Sequence, residues 1–122
     1  MPDQTAATAY VTTPIYYVND RPHTGHAYTS VLADVLAGYH RMLGVPTWFL
    51  TGTDEHGLKI ERRAKEEDLA PQDFVDRMAA PFRLAWEELE CAHDGFIRTT
   101  SPQHRENVQA LWRLMQANGD IY

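Results

Sequence analysis

The sequence predicts an α/β fold in which parallel strands carry their loops at one common edge. Three observations predict it. A short β-branched run, Tyr10-Val11-Thr12-Thr13, leads through a polar loop into a stretch with apolar residues at Ala27, Val31, Leu32, Val35, Leu36, Tyr39, Met42 and Leu43. That spacing fits one face of a helix and not the alternation of a strand. A second apolar run, Thr47-Trp48-Phe49-Leu50-Thr51, follows and ends in another polar loop, Gly52-Thr53-Asp54-Glu55-His56-Gly57. Strand, helix, strand over this length implies a right-handed parallel crossover. Open parallel sheets bind ligands beyond the carboxyl ends of their strands, so both loops are expected on the same edge.

Residues 1–8 are small and polar and read as a flexible lead-in. Pro14 ends the first strand's ladder because it has no N–H to donate. Ile15-Tyr16-Tyr17-Val18 is apolar but runs at once into Asn19-Asp20-Arg21-Pro22, so it reads as a pocket wall and not as more strand. The helix is expected over 24–43, with Gly44 at its C′ position and Pro46 beyond. The run at 47–51 has the compact apolar character of a strand buried on both faces. A short solvated helix is expected over 58–69, with Ile60, Ala64 and Leu69 as its stripe. A longer helix starts at Pro71, where a first-turn proline and Asp73 suit the helix's positive end. Its stripe is Phe74, Val75, Met78, Phe82, Ala85, Trp86 and Leu89, and Pro81 is expected to kink or split it near Met78 to Ala80. A third strand is expected over 96–100. Ser101 caps a last helix with Pro102 at its first position and a buried stripe at Val108, Leu111, Trp112 and Met115. Ile121-Tyr122 reads as the start of a further element, and three strands with their helices leave an apolar sheet edge bare.

The bulk numbers bound the function. At 122 residues the chain holds one domain at most. A net charge of −6 provides no general footprint for a nucleic-acid backbone. One cysteine, Cys91, excludes an internal disulfide and a cysteine zinc cage, which points to a reducing compartment and hence the cytoplasm. No membrane-spanning apolar stretch is present.

The chemistry concentrates at Pro22-His23-Thr24-Gly25-His26, two imidazoles three residues apart at a helix start. A strand, a glycine-bearing loop and a helix N-terminus bring free N–H groups and a positive dipole end to one anion. The residues alone therefore suggest a phosphate-handling site with a nucleotide lying over Gly25. The blander reading is a pair of surface histidines. A metal reading is poorer, because no third ligand is spaced for it. Asp54 could be a turn carboxylate, and His56 could cap the next helix. Tyr16, Tyr17, Trp48, Trp86 and Trp112 read as core, while His40, His93 and His104 read as surface residues without a role. Cys91 reads as a small loop residue, and the mixed charges at 61–68 as a solvated face.

The stretch from Tyr10 to Asp20, then Pro22-His23-Thr24-Gly25-His26-Ala27-Tyr28, then Thr51 to Gly57, closely resemble the N-terminal catalytic region of the methionyl-tRNA synthetases. Phe96 to Thr100 and Gly119 to Tyr122 are similar to later stretches of it. The resemblance implies the first half of a Rossmann-like nucleotide-binding fold over 9–122. It also implies a class I synthetase that activates methionine with ATP, in the presence of Mg2+, and transfers it to tRNA(Met). It implies that His23 and His26 contact the ATP phosphates and that Gly25 admits the adenine ring. Ile15 and Tyr17 would help form the methionine pocket. Asp54 would hold the ammonium, with His56 nearby. Thr24 stands where the family carries an aliphatic residue, and altered helix packing is expected there. Pro81 and the His93-Asp94-Gly95 loop also depart from the pattern, away from the site. The family continues with a zinc-bearing insertion, the second half of the fold, a Lys-Met-Ser-Lys-Ser loop and a helical anticodon-binding domain. None of these lies within the 122 residues, so the chain alone is not expected to aminoacylate tRNA. Two other readings stand beside this one. One is a small His-x-Gly-His nucleotidyltransferase that completes its own fold. The other is a non-catalytic fragment that docks through its bare sheet edge.

Overall fold

A computed structural model describes residues 8–122. The expected lead-in at 1–8 lies outside the described residues except for Thr8. The strand β3 (Thr47–Asp54) is the centre of an all-parallel sheet. On one side it pairs with β1 (Ala9–Thr12), from Ala9↔Thr47 to Thr12↔Leu50. Further along that side it pairs with the two-residue β2 (Tyr16–Tyr17), Tyr16↔Thr53 and Tyr17↔Asp54. On the other side lies β4 (Gly95–Arg98), from Leu50↔Gly95 to Thr53↔Arg98. The order is therefore β4, β3, then β1 continued by β2. Third, second, first is the layout of the first half of a doubly wound nucleotide-binding sheet, whose ligand crevice opens beside the first strand.

The expectation that residues 15–18 are not strand needs correcting at Tyr16 and Tyr17, which form β2. Three residues between Thr12 and Tyr16 face two between Leu50 and Thr53, so one extra residue is absorbed at Thr13-Pro14-Ile15. Pro14 cannot donate to the ladder, but the pairing resumes beyond it as at a bulge. Thr13 stays tied, its N–H donating to Leu50 O at 3.2 Å and its hydroxyl bonded to Thr51 Oγ1 at 2.7 Å.

The helix α1 (Thr24–Met42) connects β2 to β3, while α2 (Leu58–Glu66) and α3 (Pro71–Glu88) connect β3 to β4. The helices α1 and α3 share one face of the sheet, where Tyr16 touches both. Its hydroxyl lies 3.1 Å from Ser30 Oγ on α1, and its ring packs 6.2 Å and 5.7 Å from Phe82 and Trp86 on α3. The larger core cluster holds Tyr16, Val18, Ile60, Ala64, Phe74, Val75, Phe82, Trp86 and Cys91. A smaller one joins Ala33 and Ala37 to Phe49, with Val11 against it.

Three packing expectations are overturned. The buried face of α1 is Ser30, Ala33 and Ala37, small residues that let the helix lie close to the sheet. The large apolar stripe, Val31, Leu32, Val35, Leu36, Tyr39, Met42 and Leu43, is exposed, and Thr24 with it. The residue at Thr24 therefore alters no helix packing within the described chain. The helix α4 (Pro102–Asn118) starts as expected, Ser101 accepting from His104 N–H, yet buries no side chain. Nor is β3 covered on both faces: Trp48 is 52% exposed and Tyr10, beside it, 65%. Of the aromatic residues expected in the core, Tyr16 and Trp86 are there, and Tyr17, Trp48 and Trp112 are not. Pro81 does not split α3. Neighbouring Phe82 and Trp86 are fully buried, and that burial outweighs the cost of a helix-interior proline, ~3 kcal/mol.

At Gly52 the strands β3 and β4 pass so closely that an added Cβ would lie 2.1 Å from Ile97 O. Gly52→Ala is expected to force the two strands apart, lowering the unfolding midpoint in denaturant. Phe82→Ala is expected to cost roughly 3–5 kcal/mol by the same measurement, through the cavity it leaves.

Candidate active site

The start of α1 is held by its own histidines. His23 is the N-cap, with extended backbone, and its Nδ1 accepts from Gly25 N–H at 3.1 Å. His26 reaches back, its Nδ1 accepting from His23 N–H at 3.2 Å. This is a reciprocal capping box built from two imidazoles in place of the usual hydroxyl and carboxylate. A ring nitrogen that accepts carries no proton, so the box assigns both protons to Nε2 and keeps both rings neutral. The rings stack at 3.8 Å between centroids, 22° apart in plane. A Cβ at Gly25 would lie 3.0 Å from the His23 ring, so a larger residue there would press on the stack. His26 leans on Tyr16 at 4.8 Å and Phe82 at 5.3 Å. Burial first, and then the neighbouring His23, lower the His26 pKa below its ordinary 6.5. With Nδ1 accepting in each ring, the box leaves Nε2–H as the donor of both imidazoles beside the positive end of a helix.

A cleft of about 410 Å³ opens at this point, lined by Ile15, Tyr16, Tyr17, His23 and His26 together with Asn19, Asp20 and Arg21. Asp54 closes the sheet beside it, since Tyr17 and Asp54 are register partners. The two polar loops therefore meet at one sheet edge, as the strand order expected. Asp54 also serves as a turn carboxylate, its Oδ1 accepting from His56 N–H at 3.4 Å. His56 does not cap α2, whose N-cap is Gly57 without any side-chain bond. Its Nε2 donates to Thr99 O at 3.3 Å, which turns the ring towards the end of β4 and away from the histidine cleft. Ile15, Tyr17, His23 and His26 line one cleft, Asp54 adjoins it as the register partner of Tyr17, and His56 stands to one side of them. Among the described residues no three His, Cys, Asp or Glu side chains group as metal ligands.

Sequence reasoning missed the most connected residue of this edge. Glu55, 3% exposed, accepts from Arg98 Nε at 2.6 Å and Arg98 Nη2 at 2.9 Å, from Thr53 Oγ1 at 2.7 Å, and from the Thr100 hydroxyl. Its own N–H donates to Thr99 Oγ1 at 2.8 Å. Arg98 also donates to Asp76 on α3 at 2.6 Å. Hydrogen bonding to Glu55 is the chief cause that raises the Arg98 pKa above its ordinary value. The available signal was an acid and an arginine at the ends of two successive strands. Only the pairing register makes them neighbours.

A parallel half-sheet with two imidazoles at its first crossover has known counterparts. The model of the family "tRNA synthetases class I (M)" matches residues 9–122, and the chain belongs to that family. It is 50% identical to the methionine–tRNA ligase of Campylobacter jejuni over 113 residues, 93% of this chain and 18% of the relative. It is 48% identical to that of Streptomyces coelicolor over 120 residues, 98% of this chain and 22% of the relative. The structure of Mycobacterium tuberculosis methionyl-tRNA synthetase in complex with methionyl-adenylate superposes with a TM-score of 0.90 at 42% identity, covering 95% of this chain and 23% of that one. The chain thus spans about a fifth of the length of the curated relatives it matches.

The imidazole box makes the start of α1 sensitive to acid. The His26 pKa is lower folded than unfolded, so its contribution to stability is complete above pH 6.5 and is lost as pH falls through the lower, folded value. Melting temperatures are expected to fall between pH 7.5 and pH 5, and His26→Ala is expected to flatten that dependence.

Proposed function

We propose that residues 9–122 are the N-terminal half of a catalytic domain that activates methionine with ATP to methionyl-adenylate and transfers it to tRNA(Met). The observation that carries the proposal is the shared edge, where the imidazole cleft and the Asp54 carboxylate flank the same Tyr17. Activation requires the methionine carboxylate to attack the α-phosphate, which builds negative charge on the non-bridging oxygens. Neutral Nε2–H donors on His23 and His26, fixed by the capping box, stabilise that charge without reorganising. The backbone at Gly25 receives the adenine ring. Ile15 and Tyr17, both exposed at the cleft, offer an apolar and aromatic slot to a thioether. Asp54 pairs with the substrate ammonium, and His56 holds its own place beside it. Mg2+ would arrive on the ATP phosphates and neutralise them.

Family membership supports this reading over a small stand-alone nucleotidyltransferase. The outer edges of β1 and β4, each paired only with β3 among the described residues, leave room for association along the sheet. No described helix is long and apolar enough to cross a membrane. The one cysteine, Cys91, is buried and free, which suits a reducing cytoplasm.

In a full-length synthetase carrying this chain, His23→Ala and His26→Ala are each expected to slow adenylate formation on the order of 100-fold, as loss of one charge-stabilising donor does. Methionine affinity should stay within about twofold. Asp54→Ala is expected to weaken methionine binding by roughly 10- to 100-fold, the worth of a charged hydrogen bond. Pyrophosphate exchange and calorimetric titration measure the two quantities, and equal effects on both would overturn the assignment. The 122-residue chain alone is expected to give no methionine-dependent exchange.

A further inference from the structure

Glu55 has no bonding capacity left for a substrate. Its Oε1 accepts from Thr53 and Arg98, and its Oε2 from Arg98 and Thr100, which uses the four lone-pair positions of a carboxylate. Its side chain is wholly buried. A buried ion pair is a weak device for stability alone, since apolar side chains of similar volume hold strands together at least as well. What a planar, two-pronged carboxylate–guanidinium pair adds is a defined orientation.

The residues so oriented are its neighbours in the chain. Asp54 precedes Glu55 and His56 follows it, and both turn outward while Glu55 turns in. The same end of β4 holds Glu55 and His56, through Arg98 and Thr100 on the Glu55 carboxylate, Thr99 Oγ1 on its N–H and Thr99 O on the His56 ring, and the Asp54 carboxylate is joined to this segment by accepting from His56 N–H. From α3, Asp76 meets Arg98 from behind, and Gln72 links Asp76 to Thr100. No member of this network touches His23 or His26, which are held by the first turn of α1 instead.

From this we infer that Glu55, locked by Arg98, is a positioning residue that sets Asp54 and His56 for the amino acid and leaves the nucleotide end of the cleft untouched. The inference rests on the reading of Asp54 as the ammonium partner. Its consequence is an asymmetry between the two substrates that a purely structural role would not produce. Loss of folded protein lowers the number of active sites, but it changes neither KM.

The test uses a full-length synthetase carrying this chain, with rates normalised to titrated active sites. Glu55→Gln keeps the shape and removes the charge. Arg98→Lys keeps the charge and removes the two-pronged geometry, and it decides the matter if Glu55→Gln does not fold. In the folded variants KM for methionine is expected to rise on the order of 10-fold or more, as small misplacements of a binding group do, with KM for ATP within about twofold. A methionine KM within about twofold of the parent, or an equal rise for both substrates, overturns the inference. Asp54→Ala is measured alongside. If it leaves the methionine KM unchanged, the underlying functional reading falls, and that outcome is distinct from failure of the Glu55 variants alone.

Discussion

A carboxylate taken out of water must have its lone pairs filled, and Glu55 satisfies that demand with groups from two strands. The guanidinium it needs belongs to Arg98, at the end of β4 and across the register from Thr53. Meeting this requirement fixes the carboxyl ends of β3 and β4 relative to each other. Removing one partner would leave a buried charge uncompensated, a penalty of about 3 kcal/mol or more. The amino ends are tied by a half-exposed carboxylate. There Asp94 accepts from Phe49 N–H at 2.6 Å and from Arg41 at 2.7 Å, so the loop before β4 is tied to β3 and to α1.

Between these two ties the strands can approach only because Gly52 has no side chain. The close approach brings the end of β4 under the Asp54-Glu55-His56 segment. On the other side of β3 the interrupted strand places Tyr17 against Asp54, and Tyr16 beneath the imidazole of His26. One central strand thus indexes both halves of the cleft. The acid side is referenced to β4, and the imidazole side to β2 and α1.

The two sides also differ in kind. The acid side depends on charge paired in the interior. The imidazole side depends on two neutral rings that accept from backbone N–H groups, and acid removes that capacity. Stability at the start of α1 and donor function at its mouth therefore draw on the same protonation state.

Much of this was determined by the sequence alone. Element order, the helix start at His23, the Pro102 start of α4 and the common edge of the two loops follow from local rules, because caps, proline positions and strand direction depend on near neighbours. The tertiary structure decided what local rules do not reach. Periodicity finds an apolar stripe but not its partner, which is why Val31, Leu32, Val35 and Leu36 stand exposed while Ala33 and Ala37 are buried. It likewise turned Tyr16-Tyr17 into a strand, set His56 aside against Thr99, and made Glu55 the hub. Each of these depends on pairing between residues about 40 positions apart, and register at that distance is settled by packing and not by propensity.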